Sequence, residues 1–193
     1  MDSDNGSVSG SHTYATAGVY KITLTITDSA GASDEEVFQY VVVYDPSAGF
    51  VTGGGWINSP PGAYRANPGL TGKATFGFVS RYQKGANVPT GNTEFQFKVA
   101  NLNFHSDSYQ WLVIAGARAQ YKGIGTINGV GEFGFILTAI DGQISGSGDV
   151  DKFRIKIWDK ATDQIIYDNQ MGTTDDVAPT TTISGGSIVI HTK

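Results

Sequence analysis

The residues able to do chemistry in this chain are carboxylates and one cationic strand. Asp141, Asp149, Asp151 and Asp159 flank the run Asp141-Gly142-Gln143-Ile144-Ser145-Gly146-Ser147-Gly148-Asp149-Val150-Asp151. Carboxylates and loop carbonyls are hard oxygen donors, the set that calcium takes on an adaptable backbone. Asp149 and Asp151 stand two apart at a strand start, a spacing that turns both side chains to one side. The spacing is not that of an EF-hand loop, and Asp with Gly also makes ordinary solvated turns. A calcium site and plain turn acids are both open at this loop. Asp28 with Asp34 and Glu35 form a lesser cluster of the same kind.

The cationic strand is Lys152-Phe153-Arg154-Ile155-Lys156-Ile157-Trp158. Period two turns Phe153, Ile155 and Ile157 inward and Lys152, Arg154, Lys156 and Trp158 outward together. A Trp beside guanidinium and ammonium groups can stack on a sugar ring or meet an acidic polymer. The plain alternative is a solvated strand whose Trp is covered by a neighbouring loop. Glu94 and Glu132 both lie beside Phe on expected strands. Glycosidase chemistry needs two such carboxyls facing each other across a sugar, and nothing in the sequence brings these two together. His12, His105 and His191 sit in separate strand patterns. His105 with Ser106-Asp107-Ser108 reads as a polar turn, since proximity in sequence does not make a triad.

The bulk properties narrow the class. The 193 residues suit one large or two small domains, with 39% hydrophobic and only 16% charged residues. A net charge of −5 and the lack of a basic block argue against nucleic acid. With no cysteine, disulfides, thiolate metal sites and thiol catalysis are excluded. The polar start Met1-Asp2-Ser3-Asp4-Asn5 is unlike a signal peptide, and no apolar run reaches membrane-spanning length. Membrane insertion is not expected.

Short strands must position these groups. Tyr20, Ile22, Leu24 and Ile26 alternate with polar residues as a half-buried strand, and Asp28-Ser29-Ala30-Gly31 is its turn. The strand Val37 to Tyr44 is apolar on both faces and needs two covers. Asp45-Pro46-Ser47-Ala48-Gly49 reads as a domain junction, dividing the chain into residues 1–45 and 46–193. Asn58 to Gly69 is an ordered loop. Strands are predicted at about 73–82, 93–104, 109–121, 123–128, 132–140, 152–159, 164–168 and 187–192. The turns between them carry Thr90-Gly91-Asn92, Asn128-Gly129, Asp141-Gly142 and Gly185-Gly186. The apolar phase slips after Ala100, predicting a bulge or bend near Asn101. No segment has a helical period. The fold class is all-β: a partial immunoglobulin-like segment followed by a β-sandwich or jelly-roll-like domain.

His12-Thr13-Tyr14, Gly18-Val19-Tyr20 and the alternation into Thr27-Asp28 resemble the C-terminal half of a polycystic-kidney-disease (PKD) repeat. Such repeats usually carry Trp-Asp-Phe-Gly-Asp-Gly ahead of the His-Thr-Tyr element, and no such stretch precedes His12. Gly53-Gly54-Gly55-Trp56 and Arg154-Ile155-Lys156-Ile157-Trp158-Asp159 look like a β-domain that follows PKD repeats in large bacterial surface proteins. The resemblance implies a fragment of a longer protein at the cell surface or outside the cell. It implies a non-catalytic structural or adhesive module, with His12 supporting a strand corner beside Tyr14. Partners are then other modules of the parent protein or a surface polysaccharide. A carbohydrate-binding module is the alternative, and a polysaccharide-active enzyme using Glu94 and Glu132 the third class. A remnant of two or three strands leaves edges and a face uncovered. Residues 11–44 are therefore expected to pack on the second domain or to pair with another copy of the chain through residues 19–44.

Overall fold

A computed structural model describes residues 7–146 and 150–192. It is all-β, in antiparallel open sheets. The first is a hairpin of β1 (Gly18–Thr27) and β2 (Ser33–Val43). The second has nine strands: β3 (Gly49–Ser59), β4 (Gly72–Tyr82), β5 (Pro89–Phe97), β6 (Leu102–Ala115), β7 (Arg118–Ile127), β8 (Val130–Ile140), β9 (Lys152–Asp159), β10 (Ile165–Asp168) and β11 (Gly185–Thr192). Strands β3 to β10 run as a meander in sequence order, and β11 returns to lie beside β3. One short helix, α1 (Gly142–Ser145), follows β8.

The large sheet curls over its own inner face. Phe76 of β4 stacks on Phe153 of β9 with ring centroids 4.1 Å apart and planes 9° apart. Phe95 of β5 meets Tyr167 of β10 at 4.7 Å. Neither pair lies on neighbouring strands, so only curvature of the sheet brings them together. Each such aromatic pair adds about 0.5–1.5 kcal/mol beyond the area it buries. Phe95, Phe97, Phe104, Tyr121, Phe135, Phe153 and Tyr167 are fully buried in this core. Two of its phenols share one hydroxyl: the Thr93 hydroxyl meets those of Tyr109 at 2.7 Å and Tyr121 at 2.8 Å, while the buried Ser80 hydroxyl has no partner among the described residues. Close approach at the centre requires glycine. A Cβ on Gly123 would stand 2.2 Å from the Ser108 carbonyl oxygen.

Residues around the expected loop 58–69 cover one edge of the sheet. Tyr64 bridges Tyr167, and Arg65 N–H donates to the Ile166 carbonyl at 3.1 Å. On the other side, Phe153 N–H donates to Thr181 and Ser184 N–H to Trp56, so the last segment crosses from β9 to β3. The free edge of β11 is closed by carboxylates. Ile190 N–H donates to Asp141 Oδ2 at 2.9 Å, and Ile188 N–H to Asp151 Oδ2 at 2.6 Å.

Several element boundaries differ from those read in the sequence. The reversal predicted near residue 122 occurs at Gly116-Ala117, so Tyr109 to Ala115 and Arg118 to Ile127 are separate strands. The register shift at Tyr109/Trp111 puts Tyr109 in the inner core and Trp111 and Val113 in the outer cluster, so the single face read over 109–121 joins residues of two faces. The phase slip near Asn101 is a full chain reversal: a 3-10 turn over Lys98–Ala100 closed by Asn101 at φ 50°. Thr90-Gly91-Asn92 lies inside β5, and Gly185-Gly186 opens β11. Asn128-Gly129 is a turn as predicted, with both φ positive, the signature of a tight hairpin.

The hairpin lies on the outer face of the curled sheet. Trp111, Val113 and Ile136 form a second buried cluster there, with Ala17, Val19, Tyr40, Val42 and Trp158 packed against it. The Tyr40 and Val42 face of the two-sided strand thus meets the large sheet. Ile26 and Phe38 remain 52% exposed.

Candidate functional site

The outer face of β9 and the hairpin edge above it gather most of the charged groups that lie close together. Arg154 is at the centre. Its alternation turns it outward as predicted, yet it is only 2% exposed, because residues 169–180 fold back across β9. The buried cation is fully matched. Nε and Nη2 donate to the two oxygens of Asp168 at 3.0 and 2.9 Å. Nη1 donates to the Thr174 carbonyl at 2.8 Å, and Asp175 stands 3.5 Å from Nη2. Gln120 Nε2 donates to the Asp175 carbonyl at 2.6 Å, and Arg118 Nη1 to the Asp176 carbonyl at 2.8 Å. Residues 173–176 are thereby held against the sheet by three side chains.

Asp175 carries this anchorage on to the hairpin. Lys156 Nζ lies 3.0 Å from Asp175 Oδ2, and the Tyr40 hydroxyl donates to the same oxygen. Tyr40 reaches it from an unusual backbone. Tyr20 pairs with Val41 but Ile22 pairs with Phe38, so β2 bulges at Gln39-Tyr40. The extra residue puts Tyr40 at φ 60°. A left-handed bulky residue costs roughly 1–3 kcal/mol and persists where its surroundings over-determine it. Here those surroundings are the Asp175 hydrogen bond, the Trp111 ring at 6.3 Å and the Lys122 ammonium 4.2 Å from the ring centroid. Burial, and then the hydrogen bond to Asp175, push the Tyr40 phenol well above its ordinary pKa.

Trp158 completes the face. A Cβ on Gly134 would lie 2.3–2.6 Å from three atoms of the indole, so the ring rests over a glycine on the adjacent strand. The Lys122 and Lys156 ammonium groups approach the ring at 5.5 and 5.9 Å. Two cavities meet at Tyr40 and Lys156. One, of about 260 Å³, lies between the hairpin and residues 173–176. The other, of about 310 Å³, is lined by Tyr40, Lys122, Lys156, Trp158, Asp163 and Ile165.

Of the four residues proposed on the β9 face, Lys156 and Trp158 border the second cavity. Lys152 sits at the far end of the strand, bridged to Thr182. Arg154 is a buried structural cation. Tyr40, Lys122 and Asp175 were not singled out in the sequence. Lys122 falls at the misplaced strand break, Asp175 lies in a segment without periodicity, and Tyr40 showed only as part of a two-sided strand.

Asp141 and Asp151 do come together, but as acceptors for backbone. Asp141 Oδ1 takes the N–H groups of Gln143 and Ile144 and so caps α1, while Asp151 Oδ1 takes Gly142 N–H at 2.8 Å. Their other oxygens hold β11. Asp159 Oδ1 closes its own turn through Ala161 and Thr162. Asp149 lies outside the described residues. Among the described residues no group of three or more His, Asp or Glu could hold a metal ion. A calcium ion here would have to displace backbone donors, so the described residues do not fit one.

Glu94 and Glu132 both face outward. Glu94 pairs with His105 at 3.6 Å, and Glu132 with Lys160. Strands β6 and β7 separate their strands, which at about 4.8 Å per strand puts the two backbones roughly 14 Å apart. His12 packs edge-on against Tyr14, which in turn packs on Tyr20. His191 stacks on Phe50.

The hairpin that carries Tyr40 lies within the part of the chain that a family model matches. Residues 2–43 match the family model of the PKD domain. No curated protein and no solved structure matches the chain. Among the described residues, no helix is long and apolar enough to cross a membrane.

Proposed function

We propose that this chain is a non-catalytic structural and adhesive module of an extracellular protein. In this reading residues 1–45 form a PKD-like element and residues 46–193 a β-domain that carries it. The observation that bears most weight is the fixing of the PKD-matched hairpin to the large sheet through Tyr40 and Asp175. A flexible tether would leave the two elements free to reorient. A strained residue held by a buried ion-pair cluster instead gives one stiff unit, as a spacer or presenting module needs.

The polar groups support the same reading. The cations and carboxylates of the β9 face are largely spent on each other and on backbone carbonyls. Glu94 and Glu132, on separate strands of a convex face, give no support to glycosidase chemistry.

Thermal unfolding followed at once by near-ultraviolet dichroism and by hydrogen exchange tests the proposal. Amides of Val19–Leu24 and Val41–Val43 should lose protection together with those of β6 and β7. Exchange of the hairpin at far lower stability than the sheet would sink the rigid-module reading.

A further inference from the structure

We propose that the cavity between Tyr40, Lys122 and Trp158 binds a hexuronate residue of an acidic polysaccharide. The inference rests on the adhesive part of the reading above and gives it a ligand class and a site.

The charge pattern around the groove is uneven. Arg154 is matched by Asp168, Lys156 by Asp175 and Lys160 by Glu132. Lys122 alone of these four cations has no carboxylate within ion-pair distance among the described residues. Its ammonium instead lies against two aromatic rings, 4.2 Å from the Tyr40 centroid and 5.5 Å from that of Trp158. Burial, with Lys156 and Lys160 nearby, lowers its pKa, although Asp175 acts in the opposite sense. A half-desolvated cation without an acid partner is where an arriving carboxylate gains most.

The shape favours a sugar over a peptide as the carrier of that carboxylate. The indole of Trp158 is laid over Gly134 and borders the cavity, an aromatic surface flanked by the Lys122 and Lys156 ammonium groups. The C–H face of a pyranose matches such a surface, as an aspartate or glutamate side chain does not. About 310 Å³ is at the lower end of the range for small-molecule pockets and suits a single ring. Asp163 and the Lys156 ammonium stand at the wall, where hydroxyls can pair with them. The chain as a whole carries a net charge of −5. Long-range attraction for a polyanion is therefore absent, and binding must come from the local groups.

Titration calorimetry with tetramers of galacturonate, glucuronate and mannuronate, against a neutral galactose tetramer and a tetraglutamate peptide, tests the site. At least one uronate tetramer should bind at least tenfold more tightly than the neutral tetramer and the peptide. Lys122→Met should weaken that binding at least tenfold, and Trp158→Ala should do the same, with the far-ultraviolet spectrum unchanged. Asp163→Asn removes the one carboxylate in the lining and keeps a residue tolerant of its φ of 55°, so it should tighten binding. Silence from all three uronates overturns the proposal, as does equal binding of the neutral sugar. Preference for the peptide would reassign the cavity to a protein partner and also overturn it. None of these results touches the rigid-module reading, which stands or falls on the unfolding measurement.

Discussion

Arg154 and Asp168 face each other through two parallel hydrogen bonds, with both side chains only 2% exposed. This fork joins β9 to β10 and, through the Thr173 and Thr174 carbonyls, pins the segment that covers the sheet. Removing Arg154 leaves the Asp168 carboxylate buried and unpaired, at a cost of about 3–5 kcal/mol, whereas removing Asp168 still leaves Arg154 with Asp175 at 3.5 Å. Arg154→Met should lower urea-derived stability by that order, and Asp168→Ala by less. Arg154→Lys should rescue little, since an ammonium cannot make the two-pronged contact. A loss below about 1 kcal/mol in either variant would contradict this role.

Tyr40→Phe keeps the ring beside Lys122 and Trp111 and deletes the hydroxyl that reaches Asp175. A hydrogen bond to a charged group is worth about 1.5–3 kcal/mol. The hairpin and β6 to β8 should lose about that much protection against amide exchange together, because the bond is broken whenever the unit opens. Loss confined to the hairpin would mean that it opens apart from the sheet.

Five phenols, those of Tyr40, Tyr82, Tyr109, Tyr121 and Tyr167, are pushed above their ordinary pKa, each chiefly by burial. A pKa raised in the folded state gives stability that is whole below the unfolded value near 10 and is lost as pH climbs toward the folded values. Stability should be flat on this account up to about pH 10 and fall steeply above it. Absorbance at 295 nm should show these phenols ionising with unfolding. Their smooth titration in a still-folded protein would refute the assignment.

Asp141→Asn and Asp151→Asn each replace an acceptor oxygen that closes the free edge of β11 by an amide donor. Each should cost about 1–3 kcal/mol, the price of an unsatisfied buried group. Because these oxygens already serve backbone, added calcium and chelator should leave the melting temperature of the parent protein alike. A rise with millimolar calcium would require a site built partly from residues such as Asp149.

Gly134→Ala should displace Trp158 while leaving every charged side chain in the sequence, because the added methyl group occupies the space beneath the indole. A blue shift or red shift of the Trp158 emission, seen by difference against Trp158→Phe, would report it. Unchanged emission would mean that the ring does not rest on Gly134.

The all-β class was legible because period-two alternation needs no partner to be seen: Phe95 and Phe97, or Phe153, Ile155 and Ile157, show an inner face in the chain itself. The two-sided strand ending at Tyr44 likewise announced a second cover. The loop acids and the β9 cations were visible as residues but not as roles. Whether Arg154 meets solvent depends on residues 169–180, which have no pattern that says where they return. Lys122 and Asp175 are far apart in the chain and meet Tyr40 only because β2 bulges and the sheet curls. Alternation fixes which way a side chain points from its own strand; what then lies above it is set by long-range packing, and at this face that packing made one cation structural and left another, Lys122, against aromatic rings without a carboxylate in ion-pair distance among the described residues.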